Sequence, residues 1–159
     1  MLLEAVRNWQ ISQMEKGTQI VESVLADVTV EAMTTYRDGG DGWTALEVLC
    51  HLRDFEELFH HRAKITVEQD NPELPFPDYL AFVTERHYNE QDVAEVLNAW
   101  KKARLAHIEF MKNRSEDDWE RPSQHPTRGK FTLHDQLFLT VWHDTNHIEQ
   151  MTRILAEKR

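Results

Sequence analysis

The sequence predicts an all-α protein: a four-helix bundle with a short additional helix in a crossover connection. Two observations carry that prediction. Four long segments return apolar residues at three- and four-residue intervals, and the stretches between them concentrate Gly, Pro, Asp and Ser. A third supports it, since the chain shows no credible series of alternating strands and no repeated unit. At 159 residues it is read as one domain, 1–159, long enough to bury its own core.

The first helix is predicted over 2–34, where Leu3, Val6, Met14, Val21, Val24, Leu25 and Val28 recur on one face. Gly17 is its weak point, about 1 kcal/mol worse than alanine in a helix interior, and it permits close packing or a bend. TYRDGGDG then supplies turn residues. The second helix has a well-marked start, with Thr44 as cap, Glu47 reciprocating at the third position, and Trp43 and Val48 as a hydrophobic staple. Val48, Leu52, Phe55, Leu58 and Phe59 form its predicted buried side, with His51 pointing inward beside them and Glu56, Arg62 and Lys64 facing solvent.

NPELPFP breaks the helical run between 65 and 77, and DYLAFVTERHY follows as the short helix. A third long helix is predicted from about Asp92 to Lys112, its apolar stripe including Val96, Trp100, Leu105 and Ile108, with Lys101, Lys102 and Arg104 solvated. SEDDW starts a single turn before RPSQHPTRG, which reads as a polar loop. The last helix is predicted from about Leu133 to Glu157, opened by a Thr132/Asp135 capping box.

Charge and composition narrow the function. With 28 acidic against 18 basic residues the formal charge is -10, so binding to nucleic acid or anionic lipid would work against net repulsion. No uncharged run of about 18 residues could span a bilayer, and Glu4 and Arg7 interrupt what would be a signal peptide's apolar core. One cysteine, Cys50, excludes an intramolecular disulfide, and the expected setting is cytoplasmic.

The chemistry concentrates in histidines. His143 and His147 in HDTNH lie one helical turn apart on one face, and His51 on a facing helix can supply a third imidazole to a divalent transition metal. A neutral core His51 beside a chance HxxxH pair is the competing reading. Asp144 sits where an HExxH motif has its general base, but its side chain is shorter and neighbouring helix positions diverge by about 100 degrees, so a zincin assignment is rejected. Asp144 is instead read as a salt-bridge partner on its helix face or a support behind the ligands, and Glu47 as such a support, equally explained by its capping role. Cys50 is read as packing, and so is Trp142, although Trp142 adjoins His143. His60, His61, His87, His107 and His134 carry less weight as ligands.

GWTALEVLCHLRDFE followed by TLHDQLFLTVWHDTNHIEQM resembles the DinB-like, YfiT-like family of metal-binding four-helix bundles over nearly the whole chain. The resemblance implies that His51, His143 and His147 bind a divalent metal, zinc or nickel, and that Gln150 completes an HxxxHxxQ pattern. It further implies a small-thiol S-transferase acting on an electrophilic small molecule, and a homodimer. A metal-dependent hydrolase and a noncatalytic metal-binding stress-response protein are the alternatives.

Overall fold

Side-chain caps place most of the helix starts in this protein, whose computed structural model describes residues 2–156. The four long helices are α1 (Leu2–Leu25), α3 (Ala45–Glu68), α5 (Val93–Lys112) and α7 (Leu133–Ala156). Short helices α2 (Val30–Thr35), α4 (Tyr79–Glu85) and α6 (Glu116–Trp119) lie in the connections, with strands β1 (Pro122–His125) and β2 (Gly129–Thr132) before α7. The Thr44/Glu47 capping box is formed at both of its bonds, Asp92 caps α5 through Glu95 N, and Thr132 and Asp135 exchange bonds at the start of α7. Each cap satisfies amides that the first helical turn leaves free. Glu157, the expected last residue of the final helix, lies outside the described residues.

Cross-helix contacts fix the directions. α3 and α7 run antiparallel, because His51 meets His143 while Gln136 Nε2 donates to Thr66 Oγ1 at 2.8 Å. α1 and α5 are also antiparallel, with Lys101 paired to Glu22 and Lys112 to Glu15. α3 and α5 run parallel: Glu56 pairs with Arg104, and His60 packs on Phe110 further along both helices. α1 and α7 are parallel as well, since Ile11 clusters with Leu133 and Leu137, and Val21 and Leu25 with Met151 and Ile154. Parallel neighbours require long returns, and the segment from residue 69 to 92 carries α4 on the crossover between α3 and α5. Tyr88 anchors that crossover, its hydroxyl donating to Asp54 of α3 at 2.5 Å.

The core is two apolar layers with a charged layer between them. One contains Val21, Leu52, Trp100 and Met151, the other Met14, Ala63, Ile108 and Leu137. Between them along α5, Arg104 donates to both oxygens of Asp144, one bond at 2.8 Å, and to Glu56 Oε2 at 2.5 Å. His107 Nδ1 meets the other Glu56 oxygen at 2.8 Å. Arg104 and Glu56 are 2 % and 1 % exposed, so the expectation that both face solvent is corrected. Burial alone would raise the Glu56 pKa, but Arg104 and His107 outweigh it and hold the carboxyl at about 2. Gly17 of α1 faces this layer, where a Cβ would stand 3.5 Å from Asp144 Oδ2, an ordinary contact, so the approach of α1 does not depend on glycine there.

Other expectations are corrected too. The predicted helix over 2–34 is two helices: α1 ends at Leu25, and Thr29 caps α2 by accepting from Ala32 N at 3.2 Å. Thr29 lies in the β-branched run Val28–Val30, which weakens helix continuation and favours a new cap. Leu3, Val6 and Leu105, expected on core faces, are exposed. RPSQHPTRG is not a plain loop: it contributes β1 to an antiparallel hairpin pairing Pro122 with Thr132 and His125 with Gly129. Pro122 is tolerated because it opens the strand, and Gly129 takes the positive φ (74°) at the turn exit. Among the described residues, no helix is long and apolar enough to cross a membrane.

The charged layer makes a testable demand. Arg104→Leu should lower the unfolding free energy by about 3–5 kcal/mol, because two buried carboxylates lose their cation. Urea denaturation reads this as a lower midpoint at unchanged slope, and a midpoint equal to wild type would contradict the role given to Arg104.

Candidate metal centre

Two helix faces meet to form the site. On α3, Leu52, Glu56 and Ala63 turn into the core, while His51, Phe55, Phe59 and Arg62 turn along the seam with α7. On α7, Leu137, Asp144 and Met151 face the core, while Leu139, His143 and His147 line that seam. Residues one apart on a helix diverge by about 100°, so seating Asp144 on Arg104 directs His143 toward α3.

His51 Nε2 lies 3.0 Å from His143 Nε2. One donor nitrogen from each of His51, His143 and His147 lies within 4.8 Å of the other two. His51 and His143 are buried and His147 is half-buried. Phe55 stacks on His143 at 5.0 Å between ring centres, and Trp43 stacks on His147 at 6.3 Å. Burial, reinforced by His147, lowers the His51 pKa to about 3. Burial likewise pushes His143 well below the usual imidazole value and lowers His147. All three rings are therefore neutral near pH 7, the state in which imidazole nitrogen can bind a metal.

Gln150 sets the orientation of His147. Its Oε1 lies 2.8 Å from His147 Nδ1, and its Nε2 donates to Asp38 Oδ2 at 3.0 Å. An accepting Oε1 requires N–H at Nδ1, leaving the Nε2 lone pair directed to the other imidazoles. Arg153 in turn grips Asp38 through two bonds of 3.0 Å and holds its carboxyl below the usual range. Glu47 and Asp144 make no such contact. Glu47 Oε2 accepts from Thr44 N and Arg37, and Asp144 accepts from Arg104 on the other side of α7.

The imidazoles open into a cleft of about 330 Å³, walled by Phe55, Phe59, Phe76 and Tyr79. Trp142, read as packing in the core or at a subunit seam, is 52 % exposed and borders this cleft. Arg62, expected in solvent, is 2 % exposed and forms part of its wall. Sequence reasoning passed over Arg128 and His125, which the hairpin brings to the same cleft. QHPTRG gave only a turn signal, with nothing in the local pattern pointing to a distant helix. Cys50 is buried with Sγ directed at Tyr88 O, and burial pushes its thiol up to about 12, so it packs and does not ionise near neutrality. His107 is occupied by Glu56, and His134 lies against Trp119.

The profile of the DinB superfamily matches residues 13–151. The chain belongs to the DinB superfamily. It is 25 % identical to "Putative metal-dependent hydrolase OB0782" of Oceanobacillus iheyensis, over 96 % of this chain and 87 % of that protein. It is 28 % identical to "Putative metal-dependent hydrolase YfiT" of Bacillus subtilis, over 89 % of this chain and 84 % of that one. The solved structure of Bacillus subtilis YfiT, described as a probable metal-dependent hydrolase with an unusual four-helix bundle topology, superimposes with a TM-score of 0.86 at 24 % identity, covering 96 % of this chain and 86 % of that one. A histidine-to-alanine mutant of a mycothiol-dependent maleylpyruvate isomerase shares the fold with a TM-score of 0.73 at 12 % identity, over 91 % of this chain and 60 % of that one.

The lowered imidazole pKa values fix the sign of one pH effect. Between pH 6.5 and the folded values the unfolded chain binds more protons, so the stability of the metal-free protein falls as pH falls through that window. His51 alone should contribute a loss of about 2 kcal/mol by pH 5, above the range in which Glu56 takes up its proton. Melting of the metal-free chain should therefore drop from pH 6.5 to 5, with a shallower drop in His51→Gln. A pH-independent wild-type melting temperature over that interval would contradict neutral burial of the imidazoles.

Proposed function

We propose that this chain is a metal-dependent hydrolase of a small molecule, with its divalent ion held by His51, His143 and His147. The observation that carries the proposal is the convergence of three neutral imidazole nitrogens at the bottom of an aromatic cleft. Their spacing suits one ion: ligands about 2.0–2.1 Å from a tetrahedral centre stand roughly 3.3 Å apart, near the 3.0 Å between His51 and His143. Imidazole donors suit zinc and nickel alike. When bound, an ion with three neutral ligands supplies Lewis acidity, polarising a carbonyl oxygen and acidifying water.

The chain's own groups do the rest. Gln150 fixes the His147 tautomer and is itself held through Asp38 and Arg153. Phe55 and Trp43 restrict the rings of His143 and His147 by stacking, and with Phe59 they keep water from the apolar side of the site. Asp144, committed to Arg104, is not placed to move a proton at the cleft. Hydrolysis is preferred to small-thiol transfer because relatives aligned over most of this chain carry hydrolase names, whereas the thiol-dependent isomerase is alike in fold alone.

Two measurements test this reading. The full chain should bind one zinc or nickel ion and hydrolyse members of a panel of activated aryl esters, with turnover at least about 100-fold lower in His143→Ala at unchanged helical content. One-to-one binding without turnover of any ester would favour the noncatalytic reading, and turnover only with an added thiol and an epoxide would favour S-transfer. Gln150→Ala should weaken metal affinity roughly 10- to 100-fold, since it releases the His147 ring. Wild-type affinity in that variant would remove Gln150 from the site.

A further inference from the structure

Arg62 is an unusual residue for its position. It is 2 % exposed on α3, yet no carboxylate pairs with it among the described residues. Its Nε and Nη2 both donate to the Pro75 carbonyl, at 3.0 and 2.6 Å, which fixes the plane of the guanidinium. Its Nη1 receives no partner from any described residue. Burying an unpaired cation costs several kcal/mol in general, and an arginine so placed is normally matched by an anion.

A second cation stands nearby. Arg128, exposed on the turn between β1 and β2, borders the same cleft, and its side chain likewise has no ion-pair partner among the described residues. The two guanidinium groups repel, and burial together with Arg128 lowers the Arg62 pKa to about 10. His125, on the hairpin and lining the same cleft, is also pushed below the ordinary imidazole value, by burial and by both arginines. No Asp or Glu is among the described residues bordering the cleft. This local positive field occurs in a chain of net charge -10.

We infer that Arg62 and Arg128 form an oxyanion subsite that seats a carboxylate or phosphoryl group of the substrate, with its apolar body against Phe59 and Phe76. Arg62 stands over that apolar surface, its guanidinium carbon 5.9 Å from the Phe59 ring centre and 5.8 Å from that of Phe76. The planar guanidinium fork matches both kinds of oxyanion, and a cleft of about 330 Å³ limits the ligand to a small molecule. The inference rests on the hydrolase reading in one respect: it places the bond to be broken toward His51, His143 and His147. Arg62 and Arg128 are then specificity residues, selecting anionic substrates over neutral ones of equal size.

Calorimetric titration of the full chain with benzoate, phenyl phosphate and neutral benzyl alcohol, before and after removal of metal by chelation, tests it. At least one of the two oxyanions should bind the chelated chain and outcompete benzyl alcohol, and its affinity should fall roughly tenfold or more in Arg128→Gln and in Arg62→Gln. Benzyl alcohol should bind all three proteins alike. Arg128 is exposed, so its variant keeps the test valid if Arg62→Gln disturbs the hold on Pro75. Equal binding of the oxyanions and benzyl alcohol by wild type, or wild-type oxyanion affinity in Arg128→Gln, would overturn the subsite. Oxyanion binding that requires the metal would place the group at the imidazoles and overturn it equally. Arginine-dependent binding in a protein that hydrolyses nothing would uphold the subsite and count against the hydrolase.

Discussion

Arg104 joins all four long helices through one guanidinium: it starts on α5, binds Glu56 of α3 and Asp144 of α7, and donates to the Met14 carbonyl of α1 at 3.4 Å. Charges buried this deeply tolerate little displacement, because each carboxylate left without its partner would face a low-dielectric core. The consequence is rotational as well as adhesive. Glu56 and Asp144 can point at Arg104 only if α3 and α7 are turned so that His51 and His143 meet at the seam outside the core. Apolar layers on either side would permit small rotations and slides; the charged layer selects one setting.

The three-imidazole cluster therefore stands on a frame with few adjustable parts. His143 takes its direction from Asp144, its neighbour, and His147 takes its ring orientation from Gln150. Crossover and hairpin then complete the lining of the cleft together. The crossover, tied down by Tyr88 on Asp54, carries Phe76 and Tyr79 to it, and the hairpin brings His125 and Arg128, with the Phe76 and His125 ring centres 5.5 Å apart. Leu74 N donates to Gln124 O at 2.9 Å, joining crossover and hairpin directly. Long connections that parallel helices require for topological reasons thus line the cleft.

Much of this was legible in the sequence because it is written at helical range. The Thr44/Glu47 box marks the start of α3, and the four-residue spacing of His143 and His147 sets two imidazoles on one face. The charged layer was not legible. Glu56 and Arg104 occupy helix positions that read as solvated, and what buries them is a partner 48 residues away. Arg62 was misread for the same reason, its neighbour being the carbonyl of Pro75 on the returning chain. The break after Leu25 and the hairpin depend on local signals that periodicity masks: one capping threonine in a β-branched run, and four-residue strands too short to show alternation against Pro and Gly.

The central claim is that three imidazoles from two helices converge on a single ion and leave part of its coordination sphere open. X-ray absorption spectroscopy of the zinc-loaded protein tests it most directly. The account predicts three imidazole nitrogens at about 2.0–2.1 Å, with the remaining shell filled by oxygen. A sulfur ligand, four imidazoles, or a shell containing fewer than three imidazoles would contradict it.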